Sequence, residues 1–289
     1  MAKQVPVLQI NNFQQAVHLH PHIYAQLLEE HLAQYQFIKT PHRHNFYCIF
    51  LFTHGKGMHT IDFTDYAVYP GCVFFMSPAQ VHSWELSADA AGYVIFFDPE
   101  FYLLEYSHKR LSDFPFFHFT ATPYLSVESA AHLPINDLFV RMYEEYKGDE
   151  PRKEEIIRSY LNILLLKLNT LYNHANQPHL SLHVHHQIRQ LEALIEKHYL
   201  SHQSADEYAD LLNISAKQLY TICQTALHKS LRTLLQERLI LEAKRLLVHT
   251  DATVAQVAEK LNYTDNSYFN RFFRKAVGLT PEQFRQQFQ

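Results

Sequence analysis

The chain has 289 residues, a net charge of −4, 47% hydrophobic residues and 19% charged ones. That balance provides for one large or two ordinary folded domains and argues against a disordered or coiled-coil chain. Cys48, Cys72 and Cys223 are scattered and form no C-x-x-C pair, which excludes a disulfide scaffold or a zinc ribbon and suits a reducing cytoplasm.

Six glycines leave little room for glycine-rich nucleotide loops, and Walker A, G-x-S-x-G and G-x-G-x-x-G patterns are missing from the sequence. Met1 to Asn12 shows no apolar core of a leader. No apolar run approaches the roughly 18 residues needed to cross a bilayer. Secretion and membrane contact are therefore not expected, and a cytoplasmic location is. The charge is uneven along the chain. Residues 1–181 hold 12 Lys and Arg against 18 Asp and Glu; residues 182–289 hold 13 against 11. A positive half behind an acidic half is a weak pointer to nucleic acid.

The first half reads as β. Phe46–Phe52, Gly71–Met76 and Gly92–Phe97 are aromatic and β-branched runs bounded by Gly, Pro, Asp and Ser. His54-Gly-Lys-Gly57 reads as a hairpin turn. A small antiparallel barrel or sandwich over roughly residues 35–125 follows. After Pro134 the period becomes helical, through Leu138, Met142, Tyr143 and Tyr146. Pro151 opens a longer helix with Glu154 and Glu155 in its first turns. Ile157, Tyr160, Leu161, Leu164, Leu165, Leu168 and Leu171 form its stripe. The stripe either packs on the barrel or forms a dimer seam. His174 to His186 holds five histidines at no fixed ligand spacing (His174, His179, His183, His185, His186) and reads as a polar linker, not a metal site.

From residue 188 onward the chain reads as helix, and one unit occurs twice, 49 residues apart: Ala209-Asp-Leu-Leu-Asn213 and Ala258-Glu-Lys-Leu-Asn262. Each copy opens on a capping-box pattern, Ser204…Glu207 and Thr253…Gln256. Each ends its first helix in Leu-Asn, and Asn tolerates the left-handed backbone of a tight turn. Each then starts a second helix, capped by Ser215 in one copy and by Asp265 or Asn266 in the other. Such a pair is a helix-turn-helix, whose second helix fits the major groove of DNA. The first second helix buries Leu219, Ile222 and Cys223 and turns Lys217, Gln218, Tyr220, Thr221 and Gln224 outward. The second buries Phe269, Phe272 and Phe273 and presents Asn266, Ser267, Asn270, Arg271 and Arg274. Asn, Gln and Arg pair with base edges; Arg and Lys hold phosphates. A helix of about 18 residues containing Ile240 to Val248 bridges the copies and would space them about one DNA turn, ~34 Å, apart.

Residues 204–288 resemble the DNA-binding domain of the AraC/XylS family of transcriptional regulators, through Glu242-Ala-Lys-Arg-Leu-Leu247, Val254-Ala-Gln-Val-Ala258, Asp265 to Lys275 and Gly278-Leu-Thr-Pro-Glu-Gln-Phe-Arg285. The resemblance implies one domain with two helix-turn-helix units. The chain departs from the family pattern at Leu261-Asn262-Tyr263, where the family has Leu-Gly-Phe; at Thr221 and Cys223; and at His228, which stands where the second copy has Gly278. Upstream, Pro41-His42-Arg43-His44, Tyr69-Pro-Gly-Cys72 and Phe75 to Trp84 resemble the cupin-like sensory domains found ahead of such units. Enzymatic cupins hold a metal by His-x-His, a following Glu and a distant His. His42, His44 and His82 fit three positions, but Tyr47, Cys48 and Ile49 stand where the Glu would be. The histidines then line an effector pocket or satisfy strand ends, with Arg43, Tyr69 and Trp84 as further pocket candidates and Arg43 suited to a carboxylate.

The expected fold is α+β in two domains: a cupin-like antiparallel β-barrel with flanking helices, then an all-α domain with two helix-turn-helix units. Expected boundaries are 1–134 for sensing, 135–173 for a helical dimerisation or connector segment, 174–186 for a linker and 187–289 for DNA binding, with the units at 204–226 and 253–276. The expected function is a transcriptional regulator, an activator by family habit, controlled by a small organic effector and needing no cofactor or metal. Double-stranded DNA, RNA polymerase and a second copy of the chain are the expected partners. The alternative is a metal-dependent cupin enzyme with a helical appendage.

Overall fold

The computed structural model describes residues 6–13, 22–35, 38, 40–106, 111–118, 121–127, 129–176, 182–201 and 204–288. The chain divides into two compact units between residues 179 and 180.

The first unit is built on strands β1 (Val7–Leu8), β2 (Ile23–Leu27), β3 (Arg43–His44), β4 (Tyr47–His54), β5 (Gly57–Ile61), β6 (Thr64–Val68), β7 (Cys72–Met76), β8 (His82–Leu86), β9 (Ala91–Phe97) and β10 (Tyr124–Ser126). Five of them form a sheet in the order β10-β7-β4-β9-β2. Three form a second sheet, β6-β5-β8, and β1 pairs with β3. In the central strand β4, residues 48–52 are all buried, as the unbroken run Cys48-Ile-Phe-Leu-Phe52 requires of a strand covered on both faces. The three expected strands are β4, β7 and β9.

The expected hairpin at 54–57 does not form. β4 pairs with β7 and β9, whereas β5 pairs with β6 and β8, so these four residues carry the chain from one sheet to the other. Gly55 has φ +84, and a Cβ there would stand 2.5 Å from the Ala90 Cα, so the close passage demands glycine. The hairpin of this region joins β5 to β6 instead, through Asp62 (φ 45) and Phe63 (φ 71). Two positive φ values define a type I′ turn, whose usual Asn-Gly signature this sequence lacks.

Helices α1 (Leu28–Gln34), α2 (Pro99–Leu103), α3 (Ser129–Lys147) and α4 (Lys153–Asn176) complete the first unit. α3 begins before Pro134 and contains it. α4 begins two residues after Pro151. On α4, Ile157, Leu161, Leu164, Leu165 and Leu168 are buried in the core of the barrel unit, and Tyr160 and Leu171 pack against it. This corrects the dimer-seam alternative: the stripe is consumed within its own unit. Arg158 fixes the same helix by donating from Nε to the Phe101 carbonyl at 2.6 Å.

The linker expected at 174–186 is also shorter than expected. α4 runs to Asn176 and α5 (Leu182–His198) starts six residues on. His179 lies outside the described residues. His183 and His186 sit in the first turns of α5, where backbone hydrogen bonding carries residues that composition alone assigns to a loop.

The second unit holds α5, α6 (Ala205–Leu212), α7 (Ala216–Ala226), α8 (Leu231–His249), α9 (Val254–Lys260), α10 (Asn266–Val277) and α11 (Pro281–Phe288). α6 and α7 pack on α5, while α9 and α11 pack on α8. The α5–α8 joint carries a buried cation: Arg238 donates from Nε and Nη2 to the two carboxylate oxygens of Glu196 (2.7 and 2.8 Å) and from Nη1 to Glu242 (3.0 Å), with its guanidinium over the Tyr199 ring. A planar fork against one carboxylate is the geometry for which Arg outperforms Lys. Among the described residues, no helix is long and apolar enough to cross a membrane.

Candidate functional site

Each helix pair is defined by local chemistry. Ser204 and Glu207 close a reciprocal capping box at the start of α6, and Thr253 and Gln256 close one at the start of α9. Each box satisfies two backbone N–H groups that the helix itself leaves free. α6 ends on Asn213 in the left-handed conformation (φ 54), and Asn262 after α9 has φ 61. Asn262 does what the family's glycine cannot: its Nδ2 donates to the Leu200 carbonyl at 3.0 Å, tying the second turn to the end of α5. α7 starts on Ser215, which forms a third capping box with Gln218, and α10 starts on Asp265, whose side chain accepts from the Ser267 N–H. His228 takes a positive φ (52) after α7, matching Gly278 (φ 83) after α10.

The second helices present the expected faces with three differences. On α7, Leu219, Ile222 and Cys223 are buried and Lys217, Gln218, Tyr220 and Thr221 are exposed, but Gln224 is half-buried. On α10, Phe269 and Phe273 are buried and Asn266, Ser267, Arg271 and Arg274 are exposed. Phe272 is half-buried rather than buried, because it lies at the edge of the stripe against the Tyr263 ring (5.5 Å). Asn270 is half-buried, and its Nδ2 donates back to the Asn266 carbonyl. Gln218 Oε1 accepts from the Ser215 N–H, so its amide NH2 is the end left to reach outward. Arg271 makes no hydrogen bond or ion pair among the described residues. Two exposed rings add to the face: Tyr220 (64% exposed) on α7, and Tyr268 (53%) on α10, which the sequence reading did not single out.

In the first unit, the six expected pocket residues do not line one mouth. Tyr69 is exposed, on the turn between β6 and β7, and Arg43 is half-buried on β3. His42, His44, His82 and Trp84 are buried. The three histidines converge, with one ring nitrogen from each lying within 4.8 Å of the others. A β-bridge between His42 and His82 brings them together. His44 Nε2 and His82 Nε2 are 2.9 Å apart, and His42 Nδ1 donates to the Thr40 carbonyl at 2.9 Å.

A fourth histidine, His59 on β5, joins them: its Nε2 is 2.8 Å from His82 Nδ1, and its ring stacks on Trp84 at 3.3 Å. The signal for His59 was period 2, since residues 57, 59 and 61 share a face of β5 opposite Leu86, Trp84 and His82. Burial holds His42 down at about 4 and His44 at about 3, and pushes His59 and His82 well below the usual range, so all four imidazoles are neutral near pH 7. Burial likewise raises the Cys48 thiol, 3.5 Å from His44 Nε2, so it stays protonated. Trp84 also lines a cleft of about 390 Å³, together with Glu29, Leu32, Glu85 and Leu86.

The two units are those of a transcriptional regulator: a ligand-binding barrel ahead of a paired helix-turn-helix domain. Residues 22–161 match the model of an AraC-like ligand binding domain, and residues 208–287 match that of a helix-turn-helix domain. The chain is 22% identical over 250 residues to the HTH-type transcriptional activator RhaS of Enterobacter sp. (strain 638), covering 85% of this chain and 87% of that protein. It is 23% identical over 258 residues to the arabinose operon regulatory protein of Salmonella typhimurium, covering 86% of each. Among solved structures, the C-terminal domain of AraT, a response regulator from Geobacillus stearothermophilus, is 29% identical. It covers 35% of this chain and 84% of that one, with a TM-score of 0.34. The chain belongs to the AraC family of transcriptional regulators.

Proposed function

We propose that α7 and α10 read DNA through Lys217, Gln218, Tyr220, Thr221 and Gln224 on one helix and Asn266, Ser267, Asn270, Arg271 and Arg274 on the other. The observation that carries this is the amphipathic build of α10. Two phenylalanines anchor it, and on its opposite face the exposed Arg271 guanidinium has no hydrogen bond or ion pair among the described residues. Arg271 and the Gln218 amide serve base edges; Lys217 and Arg274 serve phosphates. Asn270, turned toward its own helix, contributes less.

An effector in the barrel unit controls this binding. The cleft beside Trp84, with apolar Leu32 and Leu86 and two carboxylates, suits a small organic molecule better than the buried His42, His44 and His82 do. Arg43 and Tyr69 do not line it. The protein acts as an activator, as the activators it resembles do, and not as an enzyme. It works as a homodimer beside RNA polymerase in the cytoplasm. Selection from random duplexes with the full chain tests the reading: an enriched site protected over two adjacent major-groove segments supports it, and no enrichment refutes it.

A further inference from the structure

We infer that the barrel unit binds one divalent first-row transition ion, of the zinc type, through Nε2 of His42, His44 and His82. The site goes beyond the effector cleft and does not depend on it. Two features carry the inference together. First, three buried imidazoles from two stretches of chain present nitrogens within 4.8 Å of one another, and a four-coordinate ion with ~2.0–2.1 Å bonds draws such atoms to about 3.3 Å. The movement needed is a rotation of side chains, not of strands.

Second, the outer bonds leave the right lone pairs. His42 spends its Nδ1 proton on the Thr40 carbonyl, so its Nε2 is free. His82 faces His59 Nε2 with Nδ1, and when it donates there its own Nε2 carries a lone pair. His44 Nε2 meets that of His82 at 2.9 Å, so both point to the same spot. Acceptors behind the ligating rings, fixing tautomer and aim, are what metal-bound histidines have.

The carboxylate of a redox iron site is missing, since Tyr47, Cys48 and Ile49 stand in its place. Three imidazoles without a carboxylate instead suit zinc, nickel or copper. An ion there would pin β3, which pairs with β1, to β8 of the three-stranded sheet. His59, which does not touch the ion, is a positioning residue.

The test uses the full chain, freed of metal by chelator and titrated with zinc and with cobalt(II) as a coloured probe. One tight equivalent per chain is expected, with a d–d spectrum of low-symmetry nitrogen coordination and a rise in Tm. X-ray absorption of the zinc-loaded wild type should show at least three imidazole ligands at ~2.0–2.1 Å. His82→Gln or His42→Gln should abolish the tight equivalent. His59→Phe should weaken it about 10- to 100-fold and alter the cobalt spectrum. The triple change His183→Ala, His185→Ala, His186→Ala should leave it intact. Loss of binding in that triple variant, a zinc shell with fewer than three imidazoles, or no stoichiometric binding by wild type overturns the site. Because DNA selection needs no added metal, failure here leaves the regulator reading standing, and failure there leaves this one standing.

Discussion

Replacing Arg271 by alanine separates DNA recognition from folding. The residue sits on the outward face of α10, across from Phe269 and Phe273, exposed and with no hydrogen bond or ion pair among the described residues. A surface change of that kind moves stability by about 0.5 kcal/mol at most. If the guanidinium forks onto a guanine edge, its removal costs about 1–3 kcal/mol of binding, or roughly 5- to 150-fold in Kd, with relaxed preference at one base pair. If it holds a phosphate instead, affinity falls about equally for all sequences and the slope of log K against log salt drops by about 0.9. Fluorescence anisotropy over a salt series, on the selected site and on single-base variants, distinguishes the two. Arg271→Lys sharpens the result: it keeps the charge and loses the fork, so it should rescue a phosphate contact but not a base contact. Unchanged affinity, preference and salt slope in a normally melting Arg271→Ala protein would refute the assignment of α10 as a reading helix through this residue.

Asn262→Gly should retain the second turn and lose about 0.5–1.5 kcal/mol with the bond to Leu200, whereas Asn262→Val should cost more because a β-branched residue resists φ 61; urea melts rank the two. Arg285 donates from Nε to the Leu247 carbonyl and from Nη2 to the Ala252 carbonyl, closing the end of α8 against the entry to α9. Arg285→Ala should therefore destabilise by about 2–3 kcal/mol, and weakened DNA binding should accompany increased hydrogen exchange in 250–262; unchanged exchange there would argue against the clamp. His31 is buried against the Tyr24 hydroxyl, and burial lowers it to about 3 from 6.5. The unfolded chain therefore takes up that proton first, so the stability is full above pH 6.5 and drains toward pH 3, at up to about 1.4 kcal/mol per pH unit. His31→Phe should flatten the pH dependence of the barrel unit's urea midpoint by that amount; an equal slope in both proteins would contradict the burial argument.

The helical unit was legible because its signals are local. Ser204 with Glu207, Thr253 with Gln256, and the two asparagines at 213 and 262 each solve a problem within a few residues, so sequence and structure coincide there. Of the barrel strands, β4, β7 and β9 were legible as unbroken apolar runs, while mixed strands such as β5, β6 and β8 were not. What escaped the sequence depends on partners far along the chain. The turn at Asp62-Phe63 carries no glycine, because β5 and β6 pair strongly enough to hold two L-residues at positive φ. The 54–57 segment has turn composition but joins two sheets, a distinction set by which strands pair. His59 meets His82 and Trp84 only once β5 lies beside β8. The α4 stripe reads alike for a core and for an interface, and only packing decides between them.

The joint at Arg238 has a geometric consequence. The first reading helix packs on α5, and the second packs on α9 and α11, which rest on α8, so the angle between the two girders α5 and α8 sets the phase with which the readers meet a double helix. A single guanidinium gripping Glu196 helps hold that angle. Exchanging it for an apolar residue of similar bulk would let the girders pivot, and the protein should then accept operators whose two contact segments are offset by a base pair or more from the native spacing.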